Sequence, residues 1–388
     1  MTVLSYQIIL FGLTAINFLI SARFSGALVF GLTYSAVAIL SVLADMIDFG
    51  RITWIYREFA SERVDKFQFI NYWRLRFKVL IKITPILLLL CLLLNVKIEN
   101  WILIFYPISW LMVNYAQSFF SAKSDFHTSG FLNIAERVCF AGFIFIGFYW
   151  QIEPSFLLPI AIVGSTSFHS TLGALIAHYK LKEDKLMYRN LRVNFDRSAA
   201  NAMGFRSLLT DLLVLDLPVV NSFLGSKNGG LYGLGIKLRN PMAVGFTSVL
   251  TEIYPHVASG NFERIRDIYR RSKVIIFLNC LGIVVVALFF QFGEIEKVFG
   301  RSYIKFSSVS TPILLANIFF GFISLKSGIM VARGEEDKVL KLTLFTGLSF
   351  LVAIALAARF GNLEMVAWTY LILMIFNFLV FKSYRLSV

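Results

Sequence analysis

The sequence predicts an all-α, polytopic membrane protein with about 12 transmembrane helices. Three observations predict it. Apolar runs of about 20 residues recur along the chain, nearly every second gap between them is basic while the others carry little positive charge, and only 15% of the 388 residues are charged against 57% hydrophobic. A bilayer core of about 30 Å needs about 20 apolar residues per helix. Lipid also forces every backbone amide to bond within its own segment, so spans of this length are helices.

The spans fall at residues 3–22, 27–48, 77–96, 101–121, 131–150, 156–178, 201–223, 231–254, 274–292, 306–326, 338–358 and 363–381. The first lacks a basic lead and is followed by Arg23 and Phe24 rather than a small-residue cleavage site, so it is expected as a retained helix. The segment after the second span carries Arg51, Arg57, Arg63, Lys66, Arg74, Arg76 and Lys78, and the one after the sixth carries six cations between Lys180 and Arg197. A further cluster, Arg264 to Lys273, follows the eighth. The positive-inside rule then places both termini in the cytoplasm, against the single vote of Arg23 outside. The net charge of +14 sits in these short gaps, which points to membrane orientation and not to nucleic acid.

Two basic segments interleave apolar residues with charge: Trp54, Ile55, Phe59, Phe67, Phe69 and Ile70 in one, Phe262, Ile265 and Ile268 in the other. Each reads either as a short amphipathic helix on the inner leaflet or as a solvated basic connector near anionic lipid. Cys91, Cys139 and Cys280 fall inside spans without metal-ligand spacing, so neither disulfides nor a zinc site is expected.

The two halves repeat. VFGLTYSAVAILSVL (29–43) aligns with LYGLGIKLRNPMAVGFTSVL (231–250), FKVLI (77–81) with SKVII (272–276), and SAKSDFHTSG (121–130) with VARGEEDKVL (331–340). Each half holds six spans, so both enter from the same side as a parallel repeat. The expected organisation is an N-lobe over 1–180, a cytoplasmic linker over 181–200 and a C-lobe over 201–388, with a substrate path between two six-helix lobes.

A charge at membrane depth is costly and is a functional candidate by default. Lys237 shares a helical face with Gly233, Pro241, Ser248 and Thr251, and reads as a cavity cation or as an interfacial snorkel. Arg239 points away among Ala243, Phe246 and Leu250. Asp211 lies with Gly204, Ser207, Pro218 and Ser222, and is a candidate for a coupling ion, with Pro218 expected to bend the span. Asp216 sits among apolar residues at the depth of Arg239; it is either a second coupling candidate or half of a structural ion pair with that arginine. His169 and His178 have no carboxylate, Cys or His at ligand spacing, and are expected as bundle residues. Lys82, Glu136, Arg137 and Lys326 lie near span ends, where they snorkel or pair.

Several segments resemble a known family. RFSGALVFGLTYS (23–35), DFGRITWIYREFAS (48–61), GGLYGLGIKL (229–238), YPHVAS (254–259) and VFGRSY (298–303) are similar, in order and spacing, to elements of the Wzx-type polysaccharide flippases. These belong to the multidrug/oligosaccharidyl-lipid/polysaccharide (MOP) exporter superfamily. Arg51 departs from the pattern, at a position usually apolar. The resemblance implies translocation of an undecaprenyl-pyrophosphate-linked oligosaccharide across the bacterial cytoplasmic (inner) membrane by alternating access, for surface polysaccharide such as O-antigen. It also implies cavity or gate roles for Arg23 and Arg51, so the expected substrate-binding cations are Lys237, Arg239, Arg23 and Arg51. The expected partners are the lipid-linked oligosaccharide, membrane lipids and other polysaccharide-assembly proteins. No nucleophile–base constellation, Gly-rich phosphate loop or metal cluster stands in the sequence, so neither enzymatic chemistry nor a cofactor is expected. The competing readings are a multidrug or cation antiporter of the same superfamily and a membrane-embedded polymerase or glycosyltransferase. The first would want acidic charge in the N-lobe. The second would want a large outward loop, and every outward gap here is short.

Overall fold

The computed structural model describes residues 3–93, 98–123, 125–183, 201, 203–205, 208, 213–258, 260, 262–293 and 295–383. Among these there is no strand. The helices are α1 (Val3–Asp48), α2 (Arg51–Ala60), α3 (Lys66–Leu93), α4 (Tyr106–Ala122), α5 (Phe126–Tyr149), α6 (Pro154–Glu183), α7 (Asp216–Leu224), α8 (Ser226–Met242), α9 (Val244–Ala258), α10 (Phe262–Phe292), α11 (Ile295–Phe299), α12 (Phe306–Ala332), α13 (Glu336–Phe360) and α14 (Leu363–Ser383). Tight 3₁₀ turns lead into α4 (Ile98–Phe105) and α7 (Leu213–Leu215).

The helical run of α1 holds two spans. It is interrupted at Gly26, whose φ of 67° and ψ of 166° lie in a region that glycine reaches without strain. Across a straight helix Phe18 and Tyr34 would stand about 24 Å apart, yet their ring centroids are 5.9 Å apart. The chain therefore doubles back at Gly26, and residues 3–25 and 27–48 are the arms of a hairpin. Seven described helices are long and apolar enough to cross a membrane, and the hairpin counts as one of them. Their outward faces are apolar: on α10, Val274, Phe277, Leu278, Leu281, Val285, Leu288 and Phe292 all stand exposed in one helical stripe. Such a stripe suits lipid and would be an aggregation hazard in water.

The chain packs as two units, residues 1–39 with 209–388, and residues 40–208. This division by packing runs through the second arm of the hairpin. In the first unit α12 is central, lying against α8, α9, α10 and α14, while α7 packs on α8 and α13. The hairpin joins this unit by close approach: a Cβ on Gly31 would lie 2.4 Å from the Ser226 carbonyl oxygen and 2.7 Å from the Gly230 nitrogen. Asn221 fixes the same arm by donating to the Gly31 carbonyl (3.0 Å) and to the Ser35 hydroxyl. The glycine-bearing start of the stretch beginning at residue 29 thus lies against residues 226–230, just before its repeat-aligned counterpart.

In the second unit α4 is the spine, packed against α2, α3, α5 and α6. Here α2 departs from both expectations for its segment. It buries Trp54, Ile55 and Phe59 against the bundle, and Phe59 stacks on Phe119 of α4 at 5.5 Å. Its apolar face is thus covered by protein rather than lipid. The segment from 262 to 273 is likewise no separate surface helix, because α10 runs unbroken through it with Ile268 buried. The expected linker lies mostly at residues 184–200, outside the described residues.

Candidate transport site

Pro218 stands in the first turn of α7, where a missing N–H goes unneeded. The irregularity in this span is the 3₁₀ turn just before it. That turn delivers Asp216 to the helix start, 1% exposed. One carboxylate oxygen accepts the Leu217 amide at 2.6 Å and the other accepts the Tyr232 hydroxyl of α8 at 2.7 Å. Two turns along α8, Arg239 is 8% exposed. Its Nη1 donates to the Tyr370 hydroxyl of α14 at 2.8 Å, and its guanidinium lies over the Phe320 ring at 4.3 Å.

Asp216 and Arg239 therefore do not form the direct ion pair that their matched depths suggested. Two tyrosines stand between them, Tyr232 and Tyr370, packed edge-to-face with centroids 6.2 Å apart. Each charge is held by a hydroxyl, and the two hydroxyl-bearing rings touch. A buried carboxylate or guanidinium gains more from a short hydrogen bond than a neutral group does, so this chain stabilises both charges without bringing them into contact.

Lys237 faces the other way, as its helical position implied. It is half-buried, and its ammonium lies 4.8 Å from the centre of the Tyr34 ring on the hairpin. Tyr34 in turn packs on Phe30 at 4.4 Å and Phe18 at 5.9 Å. Among the described residues Lys237 makes no ion pair or hydrogen bond through its ammonium. Pro241, four residues on, has no N–H for the Lys237 carbonyl, and α8 gives way to α9 at Ala243.

Arg23 and Arg51 make other contacts. Arg23 is exposed and donates to the Lys297 carbonyl at 2.9 Å, at the C-terminal end of α11. A cation there complements the helix dipole. Arg51 donates to the Asp48 carbonyl at 3.0 Å, where the second arm ends. Asp211 lies outside the described residues.

Two further buried polar groups have partners on neighbouring helices that the sequence did not name. Asp48, 3% exposed, accepts the Ile52 amide at 2.8 Å and the Tyr115 hydroxyl of α4 at 3.0 Å, with Arg76 of α3 at 3.7 Å. Glu136 of α5 and His169 of α6 meet at 2.6 Å, and Arg137 reaches the same carboxylate at 3.2 Å. His169 thus has a carboxylate partner on a neighbouring helix, which spacing along one helix could not reveal. Among the described residues no group of three or more His, Cys, Asp or Glu is placed to hold a metal.

No family model matches the chain. Its fold is that of the MATE transporters of the MOP superfamily. It is similar to a MATE crystallised with the ligand MaD3S (TM-score 0.69, 17% identity, 98% of this chain and 94% of that one), and to a MATE transporter from Vibrio cholerae (0.66, 15%, 98% and 95%). It is also similar to a MOP superfamily transporter from Pyrococcus furiosus described by the reversed polarity of its binding pocket (0.63, 16%, 97% and 93%). Among curated proteins it is similar to a teichuronic acid biosynthesis protein of Bacillus subtilis, 21% identical over 229 residues, which are 56% of this chain and 47% of that protein. The match thus spans about half of the relative's length.

Proposed function

We propose that the chain is an alternating-access transporter of this fold that flips an anionic, lipid-linked oligosaccharide across the bacterial cytoplasmic membrane for surface polysaccharide assembly. Both termini lie in the cytoplasm, and the lobes 1–180 and 201–388 act as the moving halves. The observation that carries the reading is the charge of α8. Lys237 and Arg239 place two cations within one turn of a membrane helix, and among the described residues the Lys237 ammonium meets only the aromatic face of Tyr34. A lone ammonium at membrane depth is expensive unless an anion visits it, and a pyrophosphate or acidic sugar supplies one. The similarity to a protein of teichuronic acid biosynthesis supports a polysaccharide role. The reversed pocket polarity attributed to the Pyrococcus furiosus transporter supports a change of substrate charge within one fold. A multidrug reading draws on the MATE neighbours alone, and the cationic α8 argues against it. Asp216, and Asp211 nearby in sequence, remain the coupling-ion candidates of this proposal.

Lys237→Gln tests it. The variant should reach the membrane in normal amount, because packing does not require the charge, and glycan export should fall. Lys237→Arg should retain more export, since the cation stays although its shape changes. Normal surface polysaccharide in cells carrying Lys237→Glu would overturn the assignment, because a carboxylate there repels the anion.

A further inference from the structure

In the second unit α3 and α6 both rest on α4 but do not close on each other. Between them runs a groove of about 490 Å³, floored by Met112 of α4 and walled by Phe77 of α3 and Ala174 and Leu175 of α6. Small side chains on α6 keep it open, and Trp73 is locked beneath it by its indole N–H on the Met112 sulfur at 2.9 Å. Three basic groups also line it: Arg74 and Lys78, one turn apart on α3, and His178 on α6. All three are exposed, and Arg74 approaches His178 to 3.5 Å. Among the described residues no carboxylate lines the groove. Basic groups converge there without a counter-charge, above an apolar slot.

We propose that this groove binds one anionic phospholipid from the leaflet it faces. An acyl chain lies against Phe77, Met112 and Leu175, and the phosphate meets Arg74, Lys78 and His178. The fit is one of charge beside an apolar slot. Basic side chains at a membrane surface attract anionic headgroups, and arginine matches phosphate oxygens with a planar fork. Arg74 and Lys78 lie within the stretch of α3 that walls the groove, so the phosphate sits at the basic rim and part of one acyl chain lies in the apolar slot beside it. The inference concerns a lipid held on α3 and α6 and stands apart from what the protein transports.

Native mass spectrometry of the full-length protein in detergent, with phosphatidylglycerol or phosphatidylcholine added, tests this. The wild type should retain one phosphatidylglycerol in preference to phosphatidylcholine. The Arg74→Gln/Lys78→Gln variant should lose that preference by about tenfold. Ala174→Phe, which fills the groove, should release the lipid while leaving the cations in place. A readout free of variants is the thermal stability of the wild type, which phosphatidylglycerol should raise more than phosphatidylcholine or inorganic phosphate does. Equal retention of the two lipids would overturn the proposal, as would an unchanged preference in the double variant. Stabilisation by inorganic phosphate alone, or retention of a polyprenyl phosphate where phosphatidylglycerol is not held, would also overturn it.

Discussion

The Glu136–His169 contact is buried deeply enough to give an asymmetric mutational signature. His169 is 0% exposed and Glu136 5%. An ionised carboxylate only accepts, so the His169 Nδ1 carries the hydrogen of the 2.6 Å bond, while its Nε2 has no described partner. Glu136→Leu removes the one bond and leaves both ring nitrogens buried and unsatisfied. The cost should be about 3 kcal/mol, the upper end for stranding a buried polar group. His169→Phe keeps the ring volume and leaves Glu136 still paired with Arg137 at 3.2 Å, so its cost should be nearer 1 kcal/mol. The Glu136→Leu/His169→Phe double variant also takes the carboxylate from Arg137, as Glu136→Leu alone does, but it no longer leaves a buried imidazole unsatisfied. It should therefore be more stable than Glu136→Leu alone. Equilibrium unfolding of the purified protein in mixed micelles, titrated with a denaturing detergent, measures all three. Equal losses in the two single variants, or an additive loss in the double, would refute the reasoning.

Three further outcomes are expected. Burial opposes ionisation of Asp125, but the Lys180 ammonium and the Thr128 donors outweigh it and hold the carboxyl below its ordinary value. Its stabilisation should be complete above about pH 4, the ordinary aspartate range, and be lost as pH falls through the lower native value; the Lys180→Met variant should show a smaller loss in an acid unfolding titration. Gly31→Ala should lower folded yield in size-exclusion profiles by an overpacking cost of about 1–3 kcal/mol, whereas Gly142→Ala, where a Cβ meets nothing within 4 Å, should be harmless or mildly stabilising; equal yields would deny the close helix crossing. In intact cells an impermeant thiol reagent should label Gln151→Cys and spare Glu62→Cys, and the reverse pattern would invert the proposed topology.

The spans were legible because their signal is cumulative: a run of apolar residues as long as a bilayer is thick has few alternatives, and charge in the gaps orients the whole set. The hairpin at Gly26 was legible as a gap between two spans. Its tightness was not, because one glycine in an unusual conformation does the work of a loop. The surface segments misled for a physical reason. A short amphipathic helix looks the same whether its apolar face meets lipid or protein, and only the tertiary fold supplies Phe119 of α4 and Phe69 of α3 for Phe59 of α2, and Tyr115 of α4 for Phe69.

The limits of the sequence at the candidate site follow from the same asymmetry. Helical periodicity separated the faces of Lys237 and Arg239 correctly, because that depends only on a period of 3.6 residues. It could not find Tyr232 and Tyr370, since tyrosine in an apolar span reads as packing until a charge is seen beneath its hydroxyl. Those tyrosines change what the charges can do. Asp216 and Arg239 are each held by a hydroxyl, with two rings in between, so the two charges are bridged by tyrosines rather than placed in direct contact. Among the described residues the Lys237 ammonium has no such hydroxyl and meets the face of Tyr34, which is why the proposed anion contact is placed on it.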